Sequence, residues 1–199
     1  MAVYLDSATQ TIAPTVEPVT VAECRAQCRY KDTDEDPHIE TLITAAREEV
    51  ETITGRQLNT ATWELKLDEW PDVVYLPHPP ALTVATVKYY DTDNTLTTLT
   101  DVTDYRTDFG WEPGRIEPAY GKTWPVTRSQ SATIVITYTA GYGPLATDVP
   151  MALRLGIQQL VAHWFAFREP IQTGRSMGLV NIPHTVDRLL AHYRMVEVH

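Results

Sequence analysis

The chain has 199 residues, with 16 Lys and Arg against 26 Asp and Glu, a formal charge of −10. Such a length holds one domain with an insertion or two small ones, and 43% hydrophobic residues supply a genuine core, which excludes a disordered tail. The acidic balance excludes a protein that coats DNA, because that role needs a dense basic footprint to displace counterions.

Residues 1–18 are polar, carry Pro14 and Pro18, and read as an extended N-terminal arm. Nothing in Met1 to Thr20 has the basic and apolar regions of a signal peptide, so synthesis in the cytoplasm is expected. Thr20-Val21-Ala22-Glu23 has the spacing of a capping box and opens a short helix to about Tyr30. Asp36 as N-cap and Pro37 at the first helical position open a second, in which Ile39, Leu42, Ile43, Ala46, Val50 and Ile53 recur at helical spacing before Gly55. From Leu58 the period becomes two: Ala61, Trp63, Leu65 and Leu67 alternate with Thr62, Glu64 and Lys66, as in a half-buried strand. Further strands are expected at 73–76, 84–90, 95–99, 105–107 and 133–138, separated by turn-forming residues, as in a compact antiparallel sheet or small barrel. Helical spacing returns after Gly143, with Asp148 and Pro150 opening a helix through Leu153, Ile157, Leu160, Val161, Trp164 and Phe165 that Pro170 closes. A loop with Gly174, Ser176 and Gly178 follows, then a helix from Pro183 through Val186, Leu189, Leu190 and Tyr193.

The expected class is therefore α+β: a bundle of about four helices (19–57 and 144–194) with an antiparallel β insertion (58–143) between helices two and three, and a tail at 195–199. No run approaches the roughly 18 apolar residues a membrane span requires, so no membrane partner is expected.

Chemistry is hard to find. Cys24 and Cys28 lie at i,i+4, a poor geometry for a disulfide, and no second pair completes a zinc site. Asp32-x-Asp34-x-Asp36 begins like a calcium loop, but its sixth and twelfth positions are Pro37 and Ile43 where Gly and a bidentate Glu belong. Gly141-Tyr142-Gly143-Pro144-Leu145-Ala146 imitates a dinucleotide fingerprint, yet Pro144 interrupts it and the helix starts too late to aim its N-terminus at a pyrophosphate. None of the four serines sits in a nucleophile elbow, and no carboxylate pair is marked out as acid and base. The chain reads as no enzyme, with no cofactor and no metal. Trp70, Trp111 and Trp124 leave open a glycan- or ligand-binding β module with helical flanks, against the simpler reading of core and corner packing. The one charged feature is acidic: Asp32, Asp34, Glu35, Asp36, Glu40, Glu48, Glu49 and Glu51 against Lys31 and Arg47, a helix face that must be solvated or meet a basic partner.

Several strings, in order, resemble the phage head–tail connector family, also called adaptor or head-completion proteins: Pro18-Val19-Thr20, Thr54-Gly55-Arg56-Gln57-Leu58, Thr62-Trp63-Glu64-Leu65 and Leu76-Pro77-His78-Pro79-Pro80. Tyr120-Gly121-Lys122-Thr123-Trp124-Pro125, Thr139-Ala140-Gly141-Tyr142-Gly143 and Val149-Pro150 before His163-Trp164-Phe165 continue it over nearly the whole chain. The resemblance is to the branch bearing a β insertion.

That resemblance implies a structural subunit of the neck of a phage or phage-like gene transfer particle. It implies a homo-oligomeric ring, usually of twelve copies, docked on the portal protein of a DNA-filled capsid, with a platform for a stopper or tail-completion protein and double-stranded DNA passing through its lumen. Portal contact is expected from the C-terminal residues Tyr193, Arg194, Met195, Val196, Glu197, Val198 and His199, where apolar and polar residues alternate as in an added strand. A lumen or inter-subunit role is expected for the loop with Gln172, Gly174, Arg175, Ser176, Met177 and Gly178. Twelve copies at −10 would carry about −120 charges on one ring, which favours a free monomer, ring closure on a portal template, and a lumen over which DNA slides.

Overall fold

A computed structural model of the chain describes residues 8–167 and 184–195. The chain divides into two compact units: Thr15–Asn59 with Gly143–Met195, and Thr60–Tyr142 with the N-terminal residues through Pro14. Among the described residues the class is α+β, with four α-helices, one strand ahead of the first and the other strands between the second and third.

In the helical unit, α1 (Val21–Cys28) starts on the capping box read from the sequence. The Glu23 N–H donates to Thr20 Oγ1 at 3.2 Å and the Thr20 N–H to Glu23 Oε2 at 2.7 Å, so two orphan donors are satisfied reciprocally. Helix α2 (Asp36–Thr54) has Pro37 in its first turn and ends at Gly55 with φ +68°, in the left-handed region a glycine enters without strain. Its N-cap is Glu35, not the expected Asp36, and no side chain caps it. The Asp36 carboxylate turns instead to Arg25 of α1, at 3.2 Å. Helix α3 (Met151–Ala166) follows Pro150 and packs against α1, α2 and the short α4 (His184–Leu190). Ile39, Ile43, Ala46 and Val50 of α2 meet the stripe Leu153, Ile157, Leu160 and Val161 of α3 in a buried core. Gly156 lets α4 come close: a Cβ there would lie 3.3 Å from Leu190 Cδ2.

In the β unit, β1 (Ala8–Ile12), β2 (Ala61–Leu67), β4 (Ala81–Tyr90), β5 (Leu96–Leu99) and β8 (Ile134–Ala140) form a five-stranded sheet in the order β1-β2-β8-β4-β5. A second sheet has the order β3-β7-β6, from β3 (Val74–Tyr75), β6 (Tyr105–Asp108) and β7 (Arg115–Pro118). Every pairing between neighbouring strands is antiparallel. Leu65, Leu67, Val74, Leu76, Ile116, Ile134, Ile136 and Tyr138 fill the core.

Two strands differ from the sequence reading. Ala8–Ile12, expected within an extended arm, runs along β2 as an edge strand whose side chains are almost all exposed, so it carries no apolar alternation to announce it. Arg115–Pro118 has a single buried residue, Ile116, and is held by backbone bonding between β3 and β6.

The strings that imitate chemistry are packing devices here. Gly143 lies directly beneath the Asp148 side chain, where any Cβ would collide, and Asp148 Oδ2 accepts the Leu145 N–H at 2.8 Å. The Pro77 carbonyl accepts the hydroxyl of the buried Tyr138 at 2.9 Å, and the Pro80 carbonyl accepts the Gly141 N–H.

Candidate functional site

The C-terminal end of α2 gathers most of the helical unit's polar connections. The last carbonyls of any α-helix lack intrahelical donors and carry the negative end of the dipole. Here the Thr54 carbonyl accepts the backbone N–H of Met195 at 2.9 Å. Two residues on, buried Arg56 donates through Nε to the Tyr193 carbonyl at 2.6 Å. Gly55 between them brings the Met195 side chain into ordinary van der Waals range of where its Cβ would stand, at 3.5 Å.

One turn earlier, Glu51 organises the chain leaving the helix. Its carboxylate accepts the Leu58 N–H (3.0 Å), the Gln57 amide (2.6 Å) and Arg47 Nη1 (2.8 Å). Burial is the largest influence on this carboxyl and pushes its pKa up, with the Leu58 N–H and Arg47 pulling against it. Arg47 is itself buried. Desolvation opposes its charge, but Glu51 and Glu17 outweigh that and raise its pKa. Its Nε donates to Glu17 Oε2 at 2.9 Å, and Thr44 donates to the other Glu17 oxygen. A third buried arginine, Arg154 of α3, holds the Pro18 carbonyl (2.9 Å) and Glu23 (2.7 Å). The Thr20 N–H, with the Thr20 hydroxyl and Arg154 adding to it, holds the Glu23 carboxyl below its ordinary range against the opposing effect of burial. Three arginines thus fasten the segments that enter and leave the bundle.

The eight acids of 32–51 do not act as one surface. Glu51 faces inward, Asp36 pairs with Arg25, and Asp34 accepts the Tyr30 hydroxyl at 2.6 Å, a bond that pushes the Tyr30 pKa up to about 12. Glu48 lies 3.5 Å from Arg47 with its side chain 66% exposed; Asp32 and Glu40 are exposed, and Glu35 and Glu49 are half-buried.

The C-terminal candidates divide as well. Tyr193, Arg194 and Met195 form the root of the tail: two of their backbone groups are engaged, one by Thr54 at the end of α2 and one by Arg56 just beyond it, and Arg194 pairs with Asp187 at 2.5 Å. Val196, Glu197, Val198 and His199 lie outside the described residues, as do Gln172, Gly174, Arg175, Ser176, Met177 and Gly178 of the expected lumen loop.

Two of the three tryptophans proposed for ligand binding spend their faces on each other. Trp70 and Trp124 stack 4.3 Å apart at 6°, and Tyr89 meets Trp70 edge-on. Trp111 is exposed beneath the Arg115 guanidinium, 4.9 Å from its ring centroid. Cys24 is buried, and desolvation pushes its thiol up to about 12, so it is protonated and inert near neutrality. Among the described residues no group of three His, Cys, Asp or Glu converges to hold a metal.

What the sequence reading missed is the arginine set. Its partners lie 30, 131 and 137 positions away along the chain, beyond any periodicity. The local signs were the i,i+4 spacing of Arg47 and Glu51 and the string Thr54-Gly55-Arg56-Gln57-Leu58, in which Thr54, Arg56 and Gln57 each make a bond described above and Leu58 adds its N–H.

Compared with known proteins, residues 17–196 match the head completion protein family. No curated protein matches. Among solved structures, the chain is similar to one in the neck of an empty gene transfer agent (GTA) particle computed with C6 symmetry, at 23% identity and a TM-score of 0.77, covering 96% of this chain and 97% of that one. A chain in the virion of a native GTA particle is similar at 23% identity and TM-score 0.76, with the same coverages. A third, in the neck of a native GTA particle computed with C12 symmetry, is similar at 24% and 0.74, again covering 96% and 97%.

Proposed function

The chain belongs to the head completion protein family, and from that premise we propose that it is a structural head–tail connector subunit acting in the neck of a phage-like particle. In this reading copies of the chain form a ring, of twelve subunits, that docks on the portal of a DNA-filled capsid. The ring offers a platform to the stopper or tail-completion protein and leaves a lumen for double-stranded DNA. The tail beginning at Tyr193 carries the portal contact. The role is mechanical joining, with no catalytic step.

The family match over residues 17–196 carries this reading. The fold shared with chains from particle necks computed with C6 and C12 symmetry supports a ring. The formal charge of −10 supports assembly on a template, since like-charged copies repel until a preformed surface aligns them. Trp70 and Trp124 stack on each other and pack against the β core, which counts against a glycan platform, because a sugar needs an open aromatic face.

The test is sedimentation of the purified chain with and without purified portal rings. The expected result is a monomer alone and a ring-sized complex on portal. Failure to associate with portal at micromolar concentration, or rings formed equally well without it, would refute the reading.

A further inference from the structure

We propose that Arg56 and the Thr54 carbonyl form a clamp that presents the C-terminal tail for docking, which makes Arg56 a positioning residue for assembly. The inference rests on the reading above, in which the tail is the portal contact.

Thr54, Gly55 and Arg56 engage the chain at two points, the Tyr193 carbonyl and the Met195 N–H, immediately before the last four residues. The two bonds run in opposite senses, one accepting from the tail and one donating to it, so they fix its direction as well as its distance. The donor is a guanidinium, and charge-assisted bonds of this kind are stronger than neutral ones. In the bond from the Met195 N–H the acceptor is the Thr54 carbonyl at the helix end, which otherwise has no partner within its helix. Arg56 is 9% exposed, so water does not compete freely for the bond. Upstream, α4 is held by Val186 and Leu190, both fully buried, the latter against Gly156. The tail therefore leaves a surface fixed on both sides of its root.

A short peptide that binds by adding a strand or filling a groove loses conformational entropy on docking, residue by residue as its backbone is ordered. A fixed exit point removes part of that cost in advance. Freeing the root would leave the point from which residues 196–199 start unfixed and weaken docking without removing any contact they make. Arg194 already has an extended backbone, φ −63° and ψ 129°, which is the conformation a following proline requires.

Three variants of the full chain separate the clamp from the tail. Arg56→Met removes the guanidinium; Met195→Pro removes the N–H that Thr54 accepts, together with the Met195 side chain beside Gly55; deletion of 196–199 removes the tail. Co-sedimentation with purified portal rings reads docking, and amide exchange reads the root and the α2–α3 core separately. Arg56→Met is expected to raise exchange at the Met195 amide at least tenfold and to weaken docking at least tenfold. Met195→Pro is expected to weaken docking by a similar factor, with exchange in Ile39–Val50 and Leu153–Val161 unchanged in both. Deletion is expected to abolish docking. If deletion abolishes docking and both clamp variants dock like the unmodified chain, the clamp is refuted while the tail contact stands. If the deleted chain docks normally, the tail contact itself is refuted. Weakened docking accompanied by general exchange across the core would assign Arg56 to stability alone and overturn the proposal.

Discussion

The two units solve the burial of polar groups in opposite ways. The helical unit buries charge: Arg47, Arg56 and Arg154 lie inside it, each on a carboxylate or backbone carbonyl from a distant segment. The β unit buries neutral groups. Tyr138 gives its hydroxyl to the Pro77 carbonyl, and His78 stacks on Trp63 with centroids 3.9 Å apart, its pKa lowered by burial. A buried ion pair adds little net stability but is costly to break on one side, so it specifies which segments belong together. A neutral hydrogen-bonded core carries less of that specification and less sensitivity to a lost partner. The arginine-fastened unit is the one that fixes the root of the tail, the end the proposed assembly uses.

The comparison can be broken by substitution. Leu153→Ala and Ile136→Ala, at fully buried positions of the two cores, should each cost about 2–5 kcal/mol in chemical denaturation. Near-equal losses would show the apolar cores to be comparable and leave the polar interiors as the distinction. Arg47→Met strands the Glu51 carboxylate and should cost about 3 kcal/mol. Tyr138→Phe leaves only the Pro77 carbonyl without its donor and should cost about 1–2 kcal/mol. If Tyr138→Phe proved the more damaging of the pair, the contrast between the units would be wrong. Thr20→Ala removes the α1 cap and should cost about 1 kcal/mol.

The smallest expected effect is a dependence on pH. A histidine with a lowered pKa in the folded state contributes its full stability above the ordinary value of 6.5, and that contribution is lost as pH falls below it. His78→Phe keeps a ring against Trp63 but cannot titrate. The difference between the melting curves of the two proteins should therefore change between pH 7.5 and 5.5 and stay constant above 7.5. A constant difference throughout would remove His78 as a titrating group.

Much of this architecture is written locally. The Thr20–Glu23 box, the Gly55 stop, the helical stripe of α2 and the alternation of β2 all appear where spacing predicts them, because each depends on neighbours within a turn or along one strand. Strands β1 and β7 were illegible because their pairing is a backbone matter and their side chains carry little apolar pattern. The acids of 32–51 read as one surface because sequence counts charge without orientation. Glu51 turns inward to Arg47, the Leu58 N–H and Gln57, and only the folded chain reveals it. The clamp at Arg56 was hidden for a similar reason, its partner lying 137 residues away.

The most direct test of the connector role is a reconstruction of the neck of the particle that encodes this chain. Density for it in a single ring, seated on the portal with the residues after Met195 entering the portal surface, is the predicted result. Tailed, DNA-filled particles whose neck contains no copy of the chain would contradict the account.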